Sequence, residues 1–337
     1  MYIDKIAPVE YNLPIVKNVA KGSKDKFIEG TEGYLLVTSQ RYKDLATGFG
    51  RQIFIAPSMD DDTARMLCRK IKSSKIKRII SIGSGRVIDI AKLASKKCKV
   101  SHTAIPACLS TNCFATDKTT LFVNGVKKTV SSRVPDKVVI DLALLAQYPN
   151  MNIYGAIELM SSATALLDWE IADRENRESV DEVFYNDALK LAESSLCIIK
   201  NGLDSSDKLW GLVCLLSKSG KIVQEYGCGR PVSGSEHILS AAIENHYRCP
   251  HGASLYIALA VAQALQSKIS FKKIINLDPL YKMEAFRHDV TSLFERKKIA
   301  DLLSNVSPRP NRFTCLDLAK HEDLKKSVKD VCNDLFE

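Results

Sequence analysis

Two different hydrophobic periodicities divide this chain of 337 residues, and the change from one to the other constrains the fold more than any motif. Over the first 148 residues, short apolar runs alternate with helical patterns. Tyr34–Thr38, Gln52–Ala56, Arg78–Ile82 and Val138–Ile140 are rich in β-branched residues and have the length of buried strands. Between the second and third runs, the Asp-led stretch from Asp60 to Lys72 is amphipathic, with Ala64, Met66, Leu67 and Ile71 as its apolar residues. Strand–helix–strand units of this kind predict a parallel sheet with right-handed crossovers. The run Phe122–Val130 carries Asn124-Gly125 between apolar residues, a hairpin signal. Beyond Asp141 the strand signals stop, and 3.6-residue periodicity runs through 154–175, 180–201, 206–226, 234–246 and 252–269. The expectation is a Rossmann-like α/β nucleotide-binding domain over residues 1–148, then an all-helical domain over 149–337 that carries metal and substrate.

Length and composition agree with two soluble domains: hydrophobic residues make up 45% and charged residues 26%. No run approaches the roughly 18 uncharged apolar residues of a membrane span, and the start of the chain lacks the apolar core of a secretory signal, so the expected location is the cytoplasm. The ten cysteines are scattered without a CxxC pair and are expected as reduced thiols. A formal charge of +9 suits the gathering of an anionic small molecule. Its basic runs lack interleaved stacking aromatics, which argues against nucleic acid as a partner. A homo-oligomer is compatible with the chain, although no interface can be read from it.

Ser81-Ile82-Gly83-Ser84-Gly85-Arg86-Val87-Ile88-Asp89-Ile90-Ala91-Lys92 ends a strand and opens a helix. Glycines there let an anion approach the backbone N–H groups of the first helical turn. The spacing is not GxGxxG, and a plain tight turn is the alternative reading.

Three of the six histidines fall between residues 237 and 251. His237 ends Ser233-Gly234-Ser235-Glu236-His237, His251 lies between Pro250 and Gly252, and Glu158 sits upstream on a helix otherwise rich in Ala, Leu and Ser. Two imidazoles and one carboxylate make a site for Zn²⁺ or Fe²⁺ acting as a Lewis acid. From spacing alone, a hydrogen-bonded or surface histidine and an exposed acid stay open for each residue.

Together these segments resemble the dehydroquinate synthase-like superfamily, which includes the iron-containing alcohol dehydrogenases, glycerol dehydrogenase and sn-glycerol-1-phosphate dehydrogenase. Gly83–Lys92 is similar to the family's GGGSxxDxAK signature, with Ser84 and Arg86 as departures; Arg86 resembles the glycerol-1-phosphate branch. Ile105-Pro106 with Ser110-Thr111-Asn112 resembles a cofactor-covering loop, and Pro135–Asp141 the strand and turn ending the first domain. Asp168-Trp169 and Gly229–His237 (GRPVSGSEH) resemble that branch further. The likeness spans roughly residues 30 to 265.

The resemblance implies Glu158, His237 and His251 as metal ligands, with Zn²⁺, Fe²⁺ or Ni²⁺ as the ion. It implies NAD or NADP at Gly83, Ser84, Gly85, Arg86 and Asp89, with Ser110 and Thr111 nearby. A small phosphorylated ketone, dihydroxyacetone phosphate above all, would lie in a cleft near Asn112, with Lys118 and Arg230 as a phosphate clamp and His246 as one candidate proton donor. Two positions depart from the dehydrogenases: Glu158 replaces their Asp, as in dehydroquinate synthase, and Asn112 replaces an Asp of the polyol enzymes. Alternatives are a sugar-phosphate cyclase that returns its NAD, another polyol or alcohol dehydrogenase, and a divergent member that binds nucleotide without catalysis.

Overall fold

The computed structural model describes residues 15–18, 33–47, 52–270 and 274–337. Contacts divide it into two compact units. One takes the described residues up to Asn152 together with Leu203–Lys221; the other takes Ile153–Gly202 and Ile222–Glu337.

In the first unit, six parallel strands form one sheet: β1 (Ile15–Asn18), β2 (Tyr34–Thr38), β3 (Ile53–Ile55), β4 (Arg78–Gly83), β5 (Ser101–Pro106) and β8 (Lys137–Asp141), in the order β1-β8-β5-β4-β2-β3. Leu35, Leu36 and Val37 are all fully buried, because the sheet is covered on both faces. On one face lies a cluster of Leu35, Leu67, Ile71, Ile79 and Ile90; on the other, Leu36, Tyr42, Ile80, Ile82 and Val139. The four strands read from the sequence are present. So is the hairpin, as β6 (Lys118–Val123) paired antiparallel with β7 (Val126–Ser131). Its turn residues Asn124 and Gly125 both have positive φ, 50° and 79°, as a two-residue turn of this twist demands.

A strand absent from the sequence reading, β5, lies in the middle of the sheet between β4 and β8. Its polar start, Ser101-His102-Thr103, interrupts the apolar run that would have marked it. The buried His102 is accommodated by a 2.8 Å hydrogen bond between its Nε2 and Ser81 Oγ on β4.

After the short helix α1 (Lys43–Thr47), α2 (Asp61–Ser73) begins where the Asp60 carboxylate accepts from Thr63 N–H at 2.7 Å, with Asp61 and Asp62 in its positive first turn. The next helix, α3 (Gly85–Cys98), follows β4 directly and ends on Lys99 in the left-handed conformation. A single turn, α4 (Leu142–Leu145), precedes the helical half of the chain.

That half comprises α5 (Pro149–Arg174), α6 (Glu182–Asn201), α7 (Ser206–Tyr226), α8 (Ser235–Tyr247) and α9 (His251–Ile269), each within a few residues of the periodic segments. Helices 278–281, 284–291, 296–304, 315–318 and 321–336 follow. Within the second unit, α9 is buried on nearly all sides from Gly252 to Ala262, as a helix without a polar face requires. Most of α7 belongs to the first unit instead: Gly220 stands so close to the Ala115 carbonyl that a Cβ there would come within 2.4 Å of its oxygen. All ten cysteines are free, five of them buried and only Cys228 exposed.

Candidate metal and cofactor sites

Glu158 on α5, His237 in the first turn of α8 and His251 at the start of α9 converge in the second unit. One ligand atom from each lies within 4.8 Å of the other two. Glu158 Oε2 is 3.1 Å from His251 Nε2 and 3.9 Å from His237 Nε2.

Two glycines make this convergence possible. A Cβ on Gly252 would stand 2.3 Å from Tyr154 Cβ, and Tyr154 is one helical turn before Glu158, so α9 meets α5 where His251 reaches the carboxylate. A Cβ on Gly234 would stand 2.5 Å from Asp168 Oδ2 and 2.9 Å from Ala165 Cα, so the start of α8 lies equally close to α5.

Both histidines turn Nδ1 to a buried acid, His237 to Glu236 Oε1 and His251 to Glu244 Oε1, each at 2.7 Å. Their Nε2 atoms are thereby left toward Glu158. Two imidazole nitrogens and one carboxylate oxygen at these separations suit a divalent cation such as Zn²⁺. Asp168 closes the second unit around them. It accepts from Ser235 N–H at 2.6 Å, Cys315 N–H at 2.9 Å and Gln266 Nε2 at 2.9 Å. Burial, and then the neighbouring Glu236 charge, raise its carboxyl above the usual carboxylate range.

The glycine turn lies in the first unit. Gly83 has φ +155°, and its carbonyl accepts from Ala107 N–H at 2.9 Å, which joins β4 to the loop after β5. Ser84 occupies the cap position of α3 without a side-chain cap bond. A Cβ on Gly85 would meet Thr111 Oγ1 at 2.9 Å, so the turn and the Ser110–Thr111 loop are immediate neighbours. Exposed Arg86 is in the first turn of α3. The absent Cβ atoms leave room for Val87, Thr111 and Cys113 to pack against the turn, and a helix start of this kind can receive a phosphate at its N–H groups.

Several expected site residues have other duties. Asp89 is buried, holds Lys92 at 3.0 Å and accepts from Thr120 N–H at 3.1 Å, so it is not available to a cofactor. Asn112 donates through Nδ2 to Ser219 Oγ at 3.0 Å and pins its loop to α7. Lys118 pairs with Asp117 at 3.0 Å and keeps 28% of its side chain exposed.

Arg230, expected as a phosphate clamp, is 3% exposed. Its Nη2 donates to Asp168 O at 3.0 Å and Phe313 O at 2.9 Å, and Nε pairs with Glu178 at 2.7 Å. That is an internal tie rather than a ligand contact. His246, nine residues after His237, is half a turn round the same helix, exposed, and rests on Tyr247 with ring centroids 5.0 Å apart. It is no donor to the His237 face.

The residues missed from the sequence are Glu236 and Glu244. The signal for Glu244 was its place seven residues after His237 with Ser240 between, a single helical face.

Known proteins resemble this chain in sequence and in fold. The model of the iron-containing alcohol dehydrogenase family matches residues 33–149. An iron-containing alcohol dehydrogenase from Corynebacterium glutamicum has the same fold, with TM-score 0.63 and 17% identity over 97% of both chains. So has a sulfoacetaldehyde reductase from Bifidobacterium kashiwanohense, solved with NAD⁺, at TM-score 0.64 and 16% identity over 96% of this chain and 98% of that one. The chain belongs to the iron-containing alcohol dehydrogenase family and is an oxidoreductase of that class. Within the family it is similar to the glycerol-1-phosphate dehydrogenase (NAD(P)+) of Methanosarcina acetivorans. The two are 30% identical over 247 residues, 71% of this chain and 67% of that relative.

Proposed function

We propose that this protein interconverts dihydroxyacetone phosphate and sn-glycerol 1-phosphate with NAD(P)H, using one divalent cation held by Glu158, His237 and His251. The observation that carries the reading is the convergence of these three donors within 4.8 Å, their Nε2 and Oε2 atoms facing one another. The glycerol-1-phosphate dehydrogenase from Methanosarcina supports the substrate and the nicotinamide by its name.

Bound there, Zn²⁺ would supply Lewis-acid polarisation of a carbonyl oxygen, and reduced nicotinamide would supply the hydride. Glu158 contributes the one negative charge among the three ligands and offsets part of the cation's charge. His237 and His251 would hold the cation through imidazole nitrogens, which add no negative charge to the site. On the α/β side, Gly83, Ser84, Gly85 and Arg86 with Ser110 and Thr111 would receive the dinucleotide phosphates. The first-turn N–H groups of α3 and the Arg86 guanidinium supply the positive field. Of the two expected phosphate cations we retain Lys118 alone, since Arg230 spends its guanidinium inside the protein. In this reading the α/β part over residues 1–148 holds the nucleotide, and the helical part over residues 149–337 holds the metal. No described helix is long and apolar enough to cross a membrane.

The test follows absorbance of NADH and NADPH with zinc-loaded protein and dihydroxyacetone phosphate, beside Glu158→Ala. Stoichiometric, metal-dependent oxidation that is lost in the variant supports the proposal and names the preferred nucleotide. Bound metal and nucleotide without oxidation would overturn it. With a heptulose phosphate in place of dihydroxyacetone phosphate, release of inorganic phosphate with no net change in the nucleotide would instead indicate cyclase chemistry, toward which Glu158 points.

A further inference from the structure

We propose that Glu236 and Glu244 form a matched pair of positioning residues, each setting the tautomer and ring plane of one metal-ligating histidine. The inference rests on the metal-site reading above and extends it to residues that touch no ion.

The two contacts are the same in kind. Glu236 Oε1 lies 2.7 Å from His237 Nδ1, and Glu244 Oε1 lies 2.7 Å from His251 Nδ1. They are reached by different routes. Glu236 immediately precedes its histidine on α8, whereas Glu244 lies on α8 and serves a histidine on α9. Neither carboxylate is a surface acid, for both side chains are buried.

Each is held by donors of its own. Glu236 accepts from Gly234 N–H at 2.6 Å through Oε1 and from Thr164 Oγ at 2.8 Å through Oε2. Glu244 Oε1 accepts from Ser240 Oγ at 3.0 Å and Ser254 Oγ at 3.1 Å, and these two hydroxyls are 2.8 Å apart. Two donors besides the imidazole thus meet each carboxylate, which serves them as an acceptor. The imidazole nitrogen facing it must then carry the hydrogen. The Nε2 lone pair of each ring is left for the side where Glu158 lies, at 3.1 Å from His251 and 3.9 Å from His237. The rings are therefore oriented by protein groups alone, and a cation arriving at the site meets lone pairs already aimed at it.

The pair also adds charge behind the rings. A carboxylate accepting from Nδ1–H makes Nε2 a better donor to a metal. Replacing either acid by glutamine keeps the size and an oxygen for Nδ1–H, but removes the charge. In Glu236→Gln it also brings an NH₂ group toward the Thr164 hydroxyl that now donates to Oε2. Zn²⁺ affinity is expected to fall about ten- to hundredfold in each of Glu236→Gln and Glu244→Gln.

The measurement is Zn²⁺ binding by competition with a chromophoric chelator, on the full chain, for wild type, both glutamine variants and Ser254→Ala. The last removes one tether and leaves the charge; it should lose about fivefold, the worth of one hydrogen bond. Circular dichroism of the metal-free proteins guards against unfolding. The visible absorption of the Co²⁺-loaded proteins reports ligand geometry directly: altered bands are expected in both glutamine variants, and wild-type bands in a variant that only lowers stability. Wild-type Zn²⁺ affinity together with unchanged Co²⁺ bands in the folded glutamine variants would overturn the inference and leave the three-ligand site standing. Failure of the wild type itself to bind Zn²⁺ or Co²⁺ would remove that site, and the inference with it.

Discussion

At the scale of single residues, the metal site depends as much on what two positions lack as on its ligands. His237 and His251 are each preceded or followed at short range by a glycine, Gly234 or Gly252, packed hard against α5. A methyl at Gly252 would overlap the Tyr154 side chain, and a helix-to-helix shift is the only relief. Overpacking of this kind costs about 1–3 kcal/mol. Gly252→Ala is therefore expected to weaken Zn²⁺ binding roughly tenfold, since 1.4 kcal/mol is a factor of ten. Equilibrium binding on the folded variant checks this, and unchanged affinity would show that α9 is free to move. The ligand types and their glycine neighbours were legible in the sequence. Their convergence was not, because it is produced by contacts between helices that lie far apart in the sequence. Arg230 was misread for a related reason. A charge in a chain of net +9 reads as surface, and only burial with three internal acceptors reveals it as a tie.

At the scale of elements, the helices of the second half were readable because 3.6-residue periodicity survives wherever one side of a helix faces a core. β5 was not, since a strand between two others need not be apolar if its polar groups find partners, as His102 does with Ser81. The connection between α3 and the hairpin was equally hidden. Lys92 is fully buried on α3; its ammonium meets Asp89 at 3.0 Å, Cys113 O at 2.8 Å and the Lys118 carbonyl. One side chain thus ties the helix of the glycine turn to the following loop and to the first strand of the hairpin. Lys92→Met would leave Asp89 buried without its cation. The first unit should lose about 3–5 kcal/mol, read as a lower urea midpoint with β-sheet signals most affected. A loss below 1 kcal/mol would mean that water or rearrangement replaces the ammonium.

At the scale of the whole molecule, stability responds to metal and to pH in separate ways. Glu158, Glu236, Glu244 and Asp168 crowd several acids around two imidazoles, so a bound divalent cation should stabilise the folded chain by mass action. At free Zn²⁺ one hundred times its dissociation constant the gain is about 2.7 kcal/mol. Chelation should lower Tm by several degrees, and Glu158→Ala should abolish that difference. The pH response belongs to His102. Burial, then the charges of Lys92 and Arg133, lower its pKa to about 3, so it is neutral in the fold. The unfolded chain, near 6.5, takes up the proton first. Stability from this group is complete above pH 6.5 and is lost as pH falls toward 3, by at most about 1.4 kcal/mol per unit. Asp89 and Asp168, raised by burial, act in the opposite direction. The fair measurement therefore compares urea unfolding of wild type and His102→Gln from pH 7 to 4, where the variant should show the shallower decline. The enclosed ammonium of Lys92 also makes the molecule its own reporter. An amine-reactive label will modify surface lysines within the native state but reach this one only when the first unit opens. Its labelling rate, read by peptide mass spectrometry, therefore clocks that opening without any change to the sequence.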